Sequence, residues 1–197
     1  QWPSSAASDV YKRQFLSIPV PDMVKNIKQM LTSTCENERV EIRWVKHNNL
    51  HLTVEFLGLA CDEKVTQIGK EVKNLVSSTN PFSLTVSETG CFPNTSKPSV
   101  LYLGIKGNIG ALKALVLKIK DKMSQIGFKK DSELFIPHIT IAKINYPQKF
   151  SPDLSIFLNS TYDEVEFRVD KIQLLETKTL SKGVVYKTLN TFAFLEK

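Results

Sequence analysis

Two tetrapeptides constrain this chain more than anything else in it: His51-Leu52-Thr53-Val54 and His138-Ile139-Thr140-Ile141, 87 positions apart. Each sits in a segment whose apolar residues alternate, the signature of a half-buried β-strand. A strand sends successive side chains to opposite faces. His51 and Thr53 therefore share one face, with Leu50, Leu52 and Val54 on the other, and His138 with Thr140 is set against Ile139 and Ile141 in the same way. The apolar faces require a core. The opposite faces place an imidazole beside a hydroxyl, and two such strands in a chain with only three histidines predict a cleft lined by both pairs.

The rest of the pattern supplies that core. Strands are predicted over 15–20, 42–45, 50–57, 82–88, 100–105, 135–144, 165–175 and 184–195, and helices after Pro21-Asp22, over 62–76 and over 109–126. In the first helix Val24, Ile27, Met30 and Leu31 recur at helical spacing; the last ends at Gly127, a C-cap residue. Residues 90–98 hold Pro93, Asn94 and Pro98 and read as a loop. Each half of the chain contains helix and strands around one His-x-Thr strand. The fold expected is α+β, with two similar lobes, each an antiparallel sheet with helices on its outer face, around a central cleft.

Residues 1–14 follow neither periodicity. The stretch Ser4–Gln14, SSAASDVYKRQ, resembles the in-frame translation of a transposase adapter used in preparing sequencing libraries. It reads as a cloning or assembly scar, which leaves 15–197 as a single bilobal domain.

Composition narrows the partners. With 42% apolar and 23% charged residues the chain is globular rather than disordered or fibrous. A net charge of +6 favours an anionic partner. Cys35, Cys61 and Cys91 are odd in number and lack any C-x-x-C spacing, so neither a disulfide framework nor a zinc knuckle is indicated, and a reducing cytoplasmic location fits. No apolar run approaches the ~20 residues of a membrane span. A monomer is expected.

Two imidazoles and two hydroxyls suit phosphodiester cleavage without a metal. Imidazole titrates near ~6.5, so one histidine can accept a proton while its charged partner donates one. The hydroxyls can donate to non-bridging phosphate oxygens as charge develops there.

At these residues the chain resembles the 2H phosphoesterases and, among them, the RNA 2',3'-cyclic phosphodiesterases, also called 2'-5' RNA ligases. The segments that carry the likeness are FLSIPVP from Phe15, RWVKHNNLHLTVEFLG from Arg43, PFSLTVSETGCFP from Pro81, SVLYLGI from Ser99, FIPHITIAK from Phe135 and LETKTLSKGVVYKTLNTFAF from Leu175. The resemblance implies two lobes around a cleft, His51 as proton donor to the leaving oxygen, His138 as proton acceptor from water, and Thr53 and Thr140 on the phosphate. The substrate implied is RNA with a 2',3'-cyclic phosphate end, hydrolysed to a 2'-phosphate; the reverse reaction joins RNA ends through a 2'-5' bond. The family commonly has arginine where Lys143 stands; lysine keeps the charge and loses the planar fork. Lys143, five residues from His138, is on the wrong parity for a regular strand and reaches a phosphate only through a bulge, a strand end or its long stem.

Phe92 and Phe135 are candidates for stacking a terminal base, and His47 for a loop position near the cleft. His47 and His51 are four apart, but Asn48-Asn49 and the alternation after them argue for a turn and a strand rather than a helical metal pair. Neither a P-loop nor a G-x-G-x-x-G occurs, and no cofactor is expected. The rival readings are a phosphodiesterase for a small cyclic nucleotide or other phosphoester, and an RNA-binding module whose histidines do no chemistry.

Overall fold

The computed structural model describes residues 12–35, 39–129, 134–181 and 183–195. In chain order they form β1 (Lys12–Pro19), α1 (Met23–Thr32), β2 (Ile42–Trp44), a 3-10 turn (His47–Asn49), β3 (His51–Ala60), α2 (Asp62–Val76), β4 (Phe82–Phe92) and β5 (Val100–Gly107). There follow α3 (Ile109–Gln125), β6 (His138–Ile144), α4 (Ser155–Asn159), β7 (Val165–Val169), β8 (Lys171–Leu180) and β9 (Gly183–Ala193). The class is α+β. In place of one sheet per lobe, the strands make a single sheet in the order β7-β4-β5-β6-β3-β1-β8-β9, with β2 against β6. The pairings are antiparallel. The sheet is continuous because β6 is paired along both edges, by β5 on one side and by β2 and β3 on the other. The two motif strands thus meet at the centre, through the single register pair Leu52–Ile139.

One face of the sheet is apolar, as the alternation requires. Leu52, Val54, Leu101, Leu103, Ile139 and Ile141 are buried in one core with Ile68, Val72 and Val76 of α2 and Leu112, Leu115, Ile119 and Met123 of α3. Those α3 residues recur every three or four positions, which puts them on one stripe of the helix. Its ends are set locally: the Asn108 side chain accepts from the Ala111 N–H at 3.1 Å, and Gly127 takes a φ of +94° just past the C-terminus. In α1 the stripe is Val24, Ile27 and Leu31, while Met30 is exposed.

Of the boundaries that differ from the sequence reading, among them β3 running on to Ala60 and β6 starting at His138 rather than Phe135, three bear most on the fold. β4 runs on to Phe92, beyond the expected loop start at 90, because a bulge at Glu88 (φ 62°) absorbs one residue between Ser87 and Thr89 and lets the ladder continue. The segment 165–175 is two strands: Asp170 alone separates β7, at one end of the sheet, from β8, next to the other end. The sheet must therefore curl until its ends meet, and there the Phe194 N–H donates to the Asp170 carbonyl at 2.7 Å. Unbroken alternation hid a crossing that uses one residue.

The third difference is at the start. β1 begins at Lys12, not Phe15: Lys12, Arg13 and Gln14 pair with Ala60, Leu59 and Gly58. The described fold thus includes three residues of the segment read as an appendage; the remainder, 1–11, lies outside the described residues. Main-chain pairing extends a strand whatever its side chains, and the side chain of Gln14 is poorly matched to its place. It is buried, and neither amide atom has a hydrogen-bond partner among the described residues. An unpaired buried amide costs about 1–3 kcal/mol. Gln14→Leu is expected to raise Tm by about 2–4 °C for each kcal/mol relieved in a chain of this size, measured by calorimetry. A lowered Tm would show that the amide is satisfied in solution.

Candidate active site

The main chain fixes both motif histidines in the same way. His51 Nδ1 lies 2.7 Å from the Asn49 carbonyl oxygen and His138 Nδ1 lies 2.8 Å from that of Ile136, each two residues back along the chain. A carbonyl only accepts, so Nδ1 carries the hydrogen in both rings and Nε2 is left to exchange a proton. Nε2 of His51 is 3.0 Å from Thr53 Oγ1, the two-residue neighbour on the same strand face. The antiparallel pair Leu52–Ile139 sets His51 across from Thr140, and Thr53 across from His138. All four side chains therefore share the face opposite the core.

Aromatic rings seat each imidazole. Phe15 and Tyr186 lie at ring-centroid distances of 4.8 and 5.2 Å from His51. Phe92 and Tyr102 lie at 5.1 and 5.4 Å from His138. Phe92 also stacks on Tyr102 at 4.4 Å, and the Tyr102 ring passes over Gly90, where any Cβ would run into it. Burial is the main cause that pushes the His51 imidazole below its usual range; the Asn49 carbonyl opposes this, and the charges of Lys143 and His138 add to it.

A bulge in each motif strand decides what comes next to the threonines. In β3, Leu16 pairs with Glu55 and Ser17 with Thr53, so Val54 is an extra residue. In β6, Leu101 pairs with Ala142 and Tyr102 with Thr140, so Ile141 is extra. After each bulge the parity of the strand reverses. Glu55 and Leu57 turn inward while Phe56 faces the cleft, and Ala142 and Ile144 turn inward while Lys143 faces it. Phe56 and Lys143 thus hold the same station, five residues after their histidines. Of the three routes open to Lys143, a bulge, a strand end or its long stem, the bulge is present; the matching one before Phe56 could have been read from the equal offset and was missed.

The cleft is a cavity of about 560 Å³ whose lining includes His51, Thr53, Thr140, Lys143, Phe56, Leu59, Val184, Tyr186 and Arg13. No aspartate or glutamate is among the described residues that line it. Of the sequence candidates, His51, Thr53, Thr140 and Lys143 meet there. His138 and Phe92 stand beside it, in contact with each other. Phe135 is instead half-buried against the core. His47 is exposed on the 3-10 turn and borders a separate hollow of about 270 Å³, which shares Asn49, His51 and Tyr186 with the cleft. Sequence reasoning missed Arg13, Phe15, Phe56, Tyr102 and Tyr186. Tyr186 in particular arrives on a distant hairpin with no local signal. Among the described residues no three of His, Cys, Asp or Glu are grouped as a metal donor set. No described helix is long and apolar enough to cross a membrane.

Known proteins are similar to this chain in sequence and in fold. The chain is 30% identical over 181 residues to an RNA 2',3'-cyclic phosphodiesterase of Methanocaldococcus jannaschii, covering 90% of this chain and 98% of that one. It is 29% identical over 178 residues to a Thermotoga maritima protein of the same name, covering 90% and 92%. In fold it superposes on E. coli LigT complexed with 3'-AMP at a TM-score of 0.76 with 20% identity, covering 94% of this chain and 99% of that one. A Thermus thermophilus protein superposes equally well, at 0.76 with 23% identity over 92% and 97% of the two chains. The family model of the 2'-5' RNA ligase superfamily matches residues 20–179, and the chain belongs to that family.

Proposed function

We propose that this protein hydrolyses RNA 2',3'-cyclic phosphate ends to 2'-phosphate ends, acting as a metal-independent monomer in a reducing, cytoplasmic setting. One observation carries the reading: two histidines, each with Nε2 left for proton exchange and each two residues before a threonine of its own strand, lie on one face of adjacent strands. Cysteines 35, 61 and 91 are free thiols, in keeping with that compartment.

Water attacks phosphorus while His138 Nε2 takes its proton, and the bond from phosphorus to the 3'-oxygen breaks as His51 Nε2–H protonates that oxygen. The product is a 2'-phosphomonoester with a free 3'-hydroxyl. Thr53 and Thr140 donate to the non-bridging oxygens, and Lys143 holds the charge as a point cation. A lining that carries Arg13 and Lys143 and, among the described residues, no carboxylate suits an anion. Phe56, Leu59 and Val184, all exposed, give the nucleoside an apolar surface.

The test is an RNA oligonucleotide ending in a 2',3'-cyclic phosphate, incubated in excess chelator, with the product identified as 2'- or 3'-phosphate. Conversion to the 2'-phosphate supports the reading. A cyclic mononucleotide cleaved in preference to the oligonucleotide supports the small-nucleotide alternative, and binding without turnover supports a non-catalytic module. The pH profile assigns the acid. His51 must be protonated to donate, and its lowered pKa in the free protein means that kcat/KM falls as pH rises through a value below about 6.5. A bound phosphate stabilises the imidazolium, so the alkaline limb of kcat is expected at higher pH than that of kcat/KM. If His51 were the base, the same lowered value would appear on the acidic limb.

A further inference from the structure

Outside the residues already assigned, the cleft-facing surface holds one unfavourable arrangement. In the antiparallel pair of β2 and β6, Arg43 stands directly across from Lys143. Their neighbours in the register, Ile42 with Ile144 and Trp44 with Ala142, turn to the core. Arg43 and Lys143 are therefore on the opposite face, the one that carries Thr140. Val45, two residues beyond Arg43 and of the same parity, lines the cleft, so Arg43 sits at its rim. Like charges directly opposite across strands destabilise a sheet. Glu41 offsets this only in part: its Oε1 accepts from Arg43 Nε at 2.8 Å, and both side chains are more than half exposed, where an ion pair contributes little. With Nε engaged, the Nη groups carry the remaining donors of the guanidinium, the end that makes parallel bonds to two phosphate oxygens.

We infer that Arg43 binds the internucleotide phosphate next to the cyclic one, so that the cleft selects an RNA chain end over a cyclic mononucleotide. Lys143 lines the cleft together with His51, Thr53 and Thr140, which sets it beside the reacting phosphate. Arg43 lies one strand farther out, roughly 4.5–5.5 Å away between α-carbons, where a second phosphate of the same strand relieves the repulsion between the two cations.

The inference rests on the proposed hydrolysis, and one experiment separates them. kcat/KM is measured for a 2',3'-cyclic mononucleotide and for an oligonucleotide with the same terminal base, in the wild type, Arg43→Ala and Arg43→Lys, across a salt series. The expected result is a preference for the oligonucleotide that drops about fivefold to tenfold in Arg43→Ala and is largely kept in Arg43→Lys. The salt slope for the oligonucleotide should also fall by about 0.7 in Arg43→Ala, the loss of one single-strand phosphate contact. An unchanged preference overturns the inference, as does an equal loss on both substrates, which would place Arg43 at the reacting phosphate or in the fold. A wild type inactive on both substrates overturns the hydrolysis itself. Thermal melting of the variants separates a folding defect from a binding one.

Discussion

Alanine at His51 or at His138 is expected to lower kcat by about 10²–10⁴, the range for loss of a positioned general acid or base. The double variant should be little slower than the slower single one, because acid and base act in one displacement and their losses do not add. Each imidazole is also a packing element: His51 lies against Phe15 and Tyr186, and His138 against Phe92 and Tyr102. Alanine therefore removes packing as well as chemistry. Glutamine variants, closer in volume, keep the comparison fair, and Tm measured alongside kcat shows whether the fold survived. A stable variant that retains activity within tenfold of wild type removes that histidine from proton transfer.

Valine at Thr53 or Thr140 is expected to cost about 10²–10³ in kcat, the loss of one donor aimed at developing charge. The substitution nearly preserves shape and deletes the hydroxyl. Both threonines line the cleft, while the apolar residues on either side of them, Leu52 with Val54 and Ile139 with Ile141, are buried. If the hydroxyls act in the transition state, kcat and kcat/KM fall together. A rise in KM alone would mean that they hold the ground-state phosphate and nothing more.

What was legible in the sequence was whatever period alone controls. Residues 62–76 form α2 as read, and the His-Thr faces follow from alternation within each strand. What was hidden depends on single residues that period cannot weigh. One extra residue at Val54 and another at Ile141 reverse the facing of the residues that follow directly, so Phe56 and Glu55 exchange the places that alternation gives them. Glu55 consequently lies buried, 3.7 Å from Lys120 of α3, which is buried as well. Asp170, with neither glycine nor proline beside it, carries the chain between the two ends of the sheet, a crossing fixed by the closing of the curl rather than by local turn chemistry. Tyr186 reaches His51 only because the β8–β9 hairpin is laid against β1, a long-range pairing.

The single register pair between β3 and β6 means that each histidine owns its surroundings. The carbonyl that fixes His51, that of Asn49, and the rings of Phe15 and Tyr186 come from one side of the central seam; the carbonyl of Ile136 and the rings of Phe92 and Tyr102 come from the other. A change in the packing of Phe15 acts on one proton-transfer group, and a change at Tyr102 acts on the other. The packing around the two groups is therefore separately adjustable by substitution, although the groups must act together on one phosphorus.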